Sequence, residues 1–168
     1  MSDAWCEEAV RRIAGSLTRA VADGTDLSAR EDMALGSLLA GLALASARLG
    51  LVHGLAHPLG ALYHLPHGRV CGALLPWVME YNLEAAGEKY SRLAQLIGVG
   101  ASGAELVAWT RELVAGLQAD LDFAAAGLRA GDFAQIIPPT LASGSTKHNP
   151  RPCDEASIRQ LLERLVAK

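Results

Sequence analysis

Four of the five histidines in this 168-residue sequence fall within one short, mostly apolar segment, at His53, His57, His64 and His67. Neutral imidazole is the commonest ligand for first-row metals such as zinc, iron, copper and nickel. Apolar surroundings exclude water and so strengthen the electrostatics of a bound ion. The segment therefore indicates a metal site or a proton-handling site. The alternative is that these histidines only pack and hydrogen-bond within a core.

His53 and His57 are four residues apart, so a helix over this segment would place both imidazoles on one face. A zinc protease helix needs Glu after the first of its paired histidines, and Gly54 stands there, which excludes that type of peptide hydrolysis. Gly54 also gives the backbone room to adjust around the ring of Pro58. No cysteine is placed to complete a usual structural zinc set, and we expect Cys71 to be a small buried hydrophobe.

No segment shows the alternation of a β-strand, and apolar residues recur at helical spacing, which predicts an all-α, multi-helix bundle. We expect residues 1–168 to form a single domain. Ser28 with Glu31, and Ser102 with Glu105, have the spacing of a capping box, and Asp154 is a predicted N-cap. The predicted helices cover about residues 3–22, 28–50, 69–84 (with a kink or restart at Pro76), 88–97, 102–121, 132–137 and 154–166.

The amino-acid composition argues against several classes of protein. Hydrophobic residues make up 51% of the chain and charged residues 20%, which is typical of globular proteins and not of disordered ones. The net charge of −3 gives no basic surface for nucleic acid. Three widely spaced cysteines do not predict a disulfide framework and favour a reducing cytoplasm, and early acidic residues argue against a secretory signal.

The uncharged run Met33–Ala47 must be distinguished from a membrane-spanning helix. It is rich in glycine, alanine and serine, and it is followed by Arg48 and then by the histidines. We therefore expect a helix buried on most sides within a soluble bundle and no membrane span. A small helical membrane protein is the weakest of the functional alternatives.

The histidine segment also carries a longer pattern. Its fixed positions resemble the signature of the iron-containing alcohol dehydrogenase family, and the likeness continues to the last predicted helix. The matching residues are Gly50, His53, Ala56-His57, Gly60, Pro66-His67-Gly68, Leu74-Leu75-Pro76, Tyr81-Asn82, Lys89-Tyr90 and Asn149-Pro150-Arg151.

This resemblance implies an all-helical C-terminal domain that works beside an N-terminal nucleotide-binding domain. In the family one Asp and three His hold Fe(II), or sometimes Zn(II). His53 and His67 match two of these ligands. His57 matches a histidine near the metal that assists proton movement or contacts the nicotinamide, and His64 falls at a variable position. The implied reaction is an NAD(P)-linked alcohol dehydrogenase or aldehyde reductase reaction on a small alcohol or aldehyde.

The sequence lacks the family's Asp-x-x-x-His pair and its glycine-rich nucleotide turn. We expect a domain truncated at its N-terminal end, which supplies half of a metal site, is inactive alone and uses NAD(P) only with the missing domain. A separate chain could supply that domain. An exposed apolar face would then favour a homo-oligomer. The alternative is a non-catalytic metal- or partner-binding domain derived from the family.

Overall fold

The structure is a computed structural model that describes residues 2–167, and these residues form seven α-helices and two short 3-10 turns with no β-strand. The all-α prediction is confirmed. The helices are α1 (Ser2–Ala22), α2 (Leu27–Ala47), α3 (Leu51–Tyr63), α4 (His67–Ile97), α5 (Gly103–Gly116), α6 (Phe133–Ala142) and α7 (Glu155–Val166), and the 3-10 turns cover Ala130–Asp132 and Thr146–His148.

The chain divides into two compact units. The first contains the residues up to Arg48 together with Gly87–Trp109, and the second contains Leu49–Ala86 and the residues from Thr110 onwards. The expectation of a single domain stays a prediction.

In the first unit, α1 packs along α2. Gly36 permits the close approach, because a Cβ at this position would lie 2.7 Å from Cγ1 of Ile13. Asp32 fastens the two helices by accepting from Arg12 at 2.6 Å and from the Ser16 hydroxyl at 2.8 Å. Ser28 is not the cap that the sequence predicts, because the carboxylate of Asp26 accepts from the first turn of α2.

Helix α2 is exposed over most of its length, so the expectation that it is buried on most sides is wrong. Only its small residues Ala29, Gly36 and Ala43 are buried, whereas Leu27 and Leu38 are 79% and 59% exposed. Within residues 2–167 no single helix is long and apolar enough to cross a membrane. The pair α2 and α3, taken together across the break between them, meets that test by length and composition only.

The core of the second unit is built from α3, the first part of α4, α6 and α7, together with residues between α5 and α6. Its fully buried large side chains include Leu51, Leu55, Leu59, Val70, Leu74, Leu128, Phe133, Ile136, Ile158 and Leu162. Helix α6 packs against both α3 and α7. This core holds the apolar face of α3 and leaves its histidine-bearing face towards the surface.

Helix α4 is continuous over 31 residues, although the sequence predicts a kink or restart at Pro76 and two separate helices. It begins at His67, two residues before the predicted start. Likewise α6 continues through Pro138 and Pro139, where the sequence predicts its end. Helix α5 stops at Gly116 and not near residue 121.

Two predicted helix starts are confirmed. At α5, Ser102 and Glu105 exchange the paired hydrogen bonds of a capping box, at 2.9 and 3.3 Å. At α7, Asp154 accepts from the Ser157 amide at 2.8 Å, and the Ser157 hydroxyl accepts from the Asp154 amide at 2.9 Å. Each of these pairs satisfies amides that a helix N-terminus otherwise leaves without partners.

Candidate metal centre

The histidine helix α3 is fixed at its start by a buried pair of amides. Asn149 Oδ1 accepts from the backbone amide of Leu51 at 3.0 Å and from Asn82 Nδ2 at 3.1 Å. Asn149 Nδ2 in turn donates to Asn82 Oδ1 at 2.7 Å. The first turn of α3 is therefore tied to α4 and to the segment that precedes α7.

The end of α3 is held as well. The Tyr63 hydroxyl donates to Asp132 at 2.8 Å, and burial, followed by this bond, raises the pKa of Tyr63 to about 12. His64 closes the helix in the left-handed conformation, with φ of 52°, and its amide donates to the Gly60 carbonyl. His64 is exposed and forms no ring contact with the other histidines among the described residues.

His67 is placed by the start of α4. Pro66 precedes the helix, and its carbonyl accepts from the Val70 amide at 3.1 Å. A proline at a helix start is well tolerated, because the first helical amides have no intrahelical partner in any case. His67 consequently lies in the first turn of α4.

The structure brings three of the predicted site histidines together. The rings of His53 and His67 have centroids 5.4 Å apart and are tilted by 53°. His57 stacks on His67 at 5.5 Å between centroids and 22° between planes. His67 of α4 thus contacts two histidines of α3.

The protonation of His53 suits a metal ligand. Burial lowers the pKa of His53 below its ordinary value, and the neighbouring His67 and His57 lower it further. A lowered pKa keeps an imidazole neutral near pH 7, which is the form that coordinates a metal. The proximity of the His53 and His67 imidazoles fits the preference of iron and zinc for histidine nitrogen.

A thiol that the sequence did not assign to the site lies beside the histidines. Cys71 Sγ is 3.5 Å from Nε2 of His67, and the side chain is half-buried. The potential ligand atoms of His53, His67 and Cys71 all lie within 4.8 Å of one another. No Asp or Glu of residues 2–167 belongs to this group, and neither does His57.

An open cavity of about 460 Å³ begins at His57. Its wall includes Gly54, Pro58, Gln135 and Ser143, whereas His53 and His67 do not line it. The His57 ring therefore stacks on His67 and also borders a cavity large enough for a small molecule.

Residues 1–166 match the family model described as the C-terminal part of the Fe-containing alcohol dehydrogenase family. The chain belongs to this family. The iron-containing alcohol dehydrogenase resemblance that the histidine segment predicts is therefore confirmed over nearly the whole sequence.

Two curated relatives of this chain are a bacterial dehydrogenase and a bacterial reductase. It is 39% identical to a 1,3-propanediol dehydrogenase of Citrobacter freundii, covering 96% of this chain and 44% of that one. It is 38% identical to a lactaldehyde reductase of Escherichia coli strain K12, covering 97% and 43%. The chain thus spans less than half the length of these relatives.

Solved structures confirm the fold. A crystal structure of a 1,3-propanediol oxidoreductase superposes with a TM-score of 0.92 at 37% identity, covering 98% of this chain and 45% of that one. An alcohol dehydrogenase from Oenococcus oeni superposes with a TM-score of 0.90 at 32% identity, covering 97% and 44%.

Proposed function

We propose that this chain provides the metal-binding part of an iron-dependent, NAD(P)-linked alcohol dehydrogenase or aldehyde reductase. In this proposal His53 and His67 hold the metal and His57 handles the proton. The observation that carries it is the contact of the His67 ring with the rings of both His53 and His57, at 5.4 and 5.5 Å between centroids. Family membership supports the same roles.

The donor set fits Fe(II), with Zn(II) as the alternative metal. Held by His53 and His67, such an ion would supply a Lewis acid for an alcohol oxygen, and NAD(P) would supply the hydride acceptor or donor. His53 and His67 position that centre through their fixed helices. The half-buried setting of His53 limits its contact with water and keeps its imidazole unprotonated.

His57 connects the cluster to the cavity. An imidazole exchanges protons readily near neutral pH, so a histidine on the cavity wall can carry the proton of an alcohol away from the reacting oxygen. The stacking of His57 on His67 fixes where this exchange takes place. The relatives' activities on 1,3-propanediol and lactaldehyde support a small alcohol or aldehyde as the substrate.

NAD(P) in this proposal is bound by a portion equivalent to the remaining length of the relatives. The chain alone is then expected to lack alcohol-dependent reduction of NAD(P), measured as the appearance of absorbance from the reduced nicotinamide. Turnover by the isolated chain would contradict this part of the proposal.

Metal analysis tests the assignment of the ligands. The full chain is loaded with Fe(II) without oxygen, or with Zn(II), desalted, and analysed for bound metal. We expect His53→Ala and His67→Ala to lose the metal and His57→Ala to retain it. His64→Asn is the matched control, since asparagine tolerates the left-handed conformation of this exposed position.

Unchanged metal content in both His53→Ala and His67→Ala would overturn the proposed site. A chain that binds metal through these residues, yet gives no turnover when combined with the nucleotide-binding portion, would favour the non-catalytic metal-binding alternative.

A further inference from the structure

Helix α3 begins without a side-chain cap of its own. Gly50 stands at the N-cap position and has no side chain to accept from the first helical amides. Leu51, the first residue of the helix, is buried, and its amide donates instead to Asn149 Oδ1 at 3.0 Å, 98 positions away in sequence. Asn149 therefore takes the place of an N-cap side chain for the helix that carries His53 and His57.

Gly50 also leaves room for this substitute. A Cβ at Gly50 would lie 3.0 Å from Asn149 Oδ1, which is closer than most side-chain contacts. A side chain at this position would therefore push the Asn149 oxygen away from the helix start. Glycine here both removes the usual cap and admits the one that comes from Asn149.

The amide of Asn149 is held in one orientation. Its Nδ2 donates to Asn82 Oδ1 at 2.7 Å and to the Arg151 carbonyl at 2.8 Å, while its Oδ1 also accepts from Asn82 Nδ2 at 3.1 Å. Asn82 and Asn149 are only 4% and 9% exposed, so water competes little for these bonds. Rotating the Asn149 amide by a half-turn would set donor against donor at Leu51, so the network keeps the oxygen towards the helix.

The capped turn contains one of the three clustered histidines. His53 is the third residue of α3, and its amide donates to the Gly50 carbonyl at 3.2 Å. His57 lies one turn further along the helix, and His67 begins α4. The first turn of a helix opens most readily when its amides lack partners. Loss of the Asn149 oxygen is therefore expected to displace His53 and to leave the other two rings in place.

We propose that Asn149 is a positioning residue of the metal site, which holds the His53 ring against His67 by capping the first turn of α3. The proposal rests on the proposed function for the role of His53 as a ligand. Asn149 acts through the backbone of α3, and Asn82 acts by orienting Asn149. A ligand that is already ordered loses less conformational freedom when a metal binds, so this cap favours metal binding.

Two substitutions at residue 149 separate positioning from stability. Asn149→Ala removes the acceptor of the Leu51 amide together with the bonds to Asn82 and Arg151. Asn149→Asp also loses the donated bonds, yet keeps an oxygen for the Leu51 amide. Both variants should be less stable than the wild type in urea, followed by circular dichroism, whereas only Asn149→Ala should release the first turn of α3.

The position of the rings is measured by nuclear magnetic resonance of the folded, metal-free chain with isotope-labelled histidine. Cross-peaks between ring protons report the contact of His67 with His53 and its contact with His57. Asn149→Ala should lose the first cross-peak and keep the second, while Asn149→Asp keeps both. Asp154→Ala, which removes the cap of α7, is the matched control and should keep both.

Asn82→Ala is a milder variant that tests the same idea if Asn149→Ala does not fold. It leaves the Asn149 oxygen in the chain but frees its amide to rotate. The cross-peak between His53 and His67 should weaken, and that between His57 and His67 should not change. An unchanged first cross-peak in folded Asn82→Ala would contradict the orienting role of this pair.

Metal affinity links the ring position to function. Binding of Zn(II), measured by competition with a weak chelator, should weaken about tenfold in Asn149→Ala and little in Asn149→Asp or Asp154→Ala. A first cross-peak that persists in Asn149→Ala, the loss of both cross-peaks, or unchanged Zn(II) affinity overturns the positioning role. If His53→Ala retains the metal, the proposed function fails, whereas the effect of Asn149 on the ring contact is judged by the cross-peaks alone.

Discussion

At the scale of single residues, the narrowest fit in the second unit is at Gly54. A Cβ at this position would overlap the Thr146 hydroxyl, so the glycine is required by the 3-10 turn Thr146–His148 that packs on α3. The Thr146 hydroxyl is itself buried and has no hydrogen-bond partner among the described residues. The sequence suggested only that Gly54 relieves Pro58, whereas the structure adds a tertiary reason for it.

Gly54→Ala is expected to lower the free energy of unfolding by about 1–3 kcal/mol, because the new methyl group overpacks the contact with Thr146. Thr146→Ala removes the obstructing oxygen, and the double variant Gly54→Ala/Thr146→Ala should recover much of the loss. Urea unfolding followed by circular dichroism measures the coupling. Purely additive effects in this double-mutant cycle would contradict the steric explanation.

Residue spacing also explains why the contact between Cys71 and His67 was not predicted. With a predicted helix start at Arg69, His67 lies outside the helix and Cys71 has no fixed relation to it. The observed start at His67 places Cys71 one helical turn further along the same face. Pro66 was the available signal, since proline favours the beginning of a helix.

At the scale of helices, the caps of α5 and α7 are the features that the sequence identified well. Hydrogen bonds between residues three positions apart define the starts of α5 and α7. A short sequence pattern is therefore enough to predict where these helices begin. The continuity of α4 through Pro76 could not be predicted in this way. Pro76 is buried, so its packing offsets the lost hydrogen bond, and Gly72, four residues before it, has no side chain to restrict the adjustment of the backbone.

The same caps predict how the fold responds to acid. The pKa of Asp154 is lowered by the backbone and then the side-chain hydrogen bonds from Ser157, and that of Glu105 by the bonds from Ser102 and Ala101. Their folded pKa values lie below the unfolded ones, so their contribution is complete only above about pH 5 and is lost as the pH falls through the folded values.

Thermal unfolding followed by circular dichroism from about pH 6 to about pH 2 should therefore show a midpoint that falls with acid. Asp154→Asn keeps a capping acceptor without a titrating carboxyl, and its midpoint should fall less than that of the wild type. Glu112→Gln, in the middle of α5 and exposed, is the control and should follow the wild type. An identical slope for Asp154→Asn would refute the role of this cap.

At the scale of the whole molecule, the exposed leucines of α2 favour association of the chain with another protein surface. Composition predicted this helix to be buried, because leucine and alanine at high density usually mark a core. The structure instead uses the small residues of α2 against α1 and leaves Leu35, Leu38 and Leu42 at the surface. An apolar face of this extent favours contact with another protein surface.

We expect the 17.6 kDa chain to form a homo-oligomer at micromolar concentration, in analytical ultracentrifugation. Leu38→Lys should shift the distribution towards the monomer, because it places a charge on a side chain that is 59% exposed. Leu96→Lys, at an exposed leucine outside α2, should leave it unchanged. A wild-type chain that sediments as a single monomer would overturn this prediction.

The bond between Leu51 and Asn149 joins residues 98 positions apart. During synthesis the histidine segment is made well before Asn149, so the hydrogen bond that fixes the first turn of α3 cannot form until Asn149 has been synthesised. The histidine-bearing face of α3 is therefore expected to become ordered only after that point, and the nascent chain exposes its histidines before it can position them.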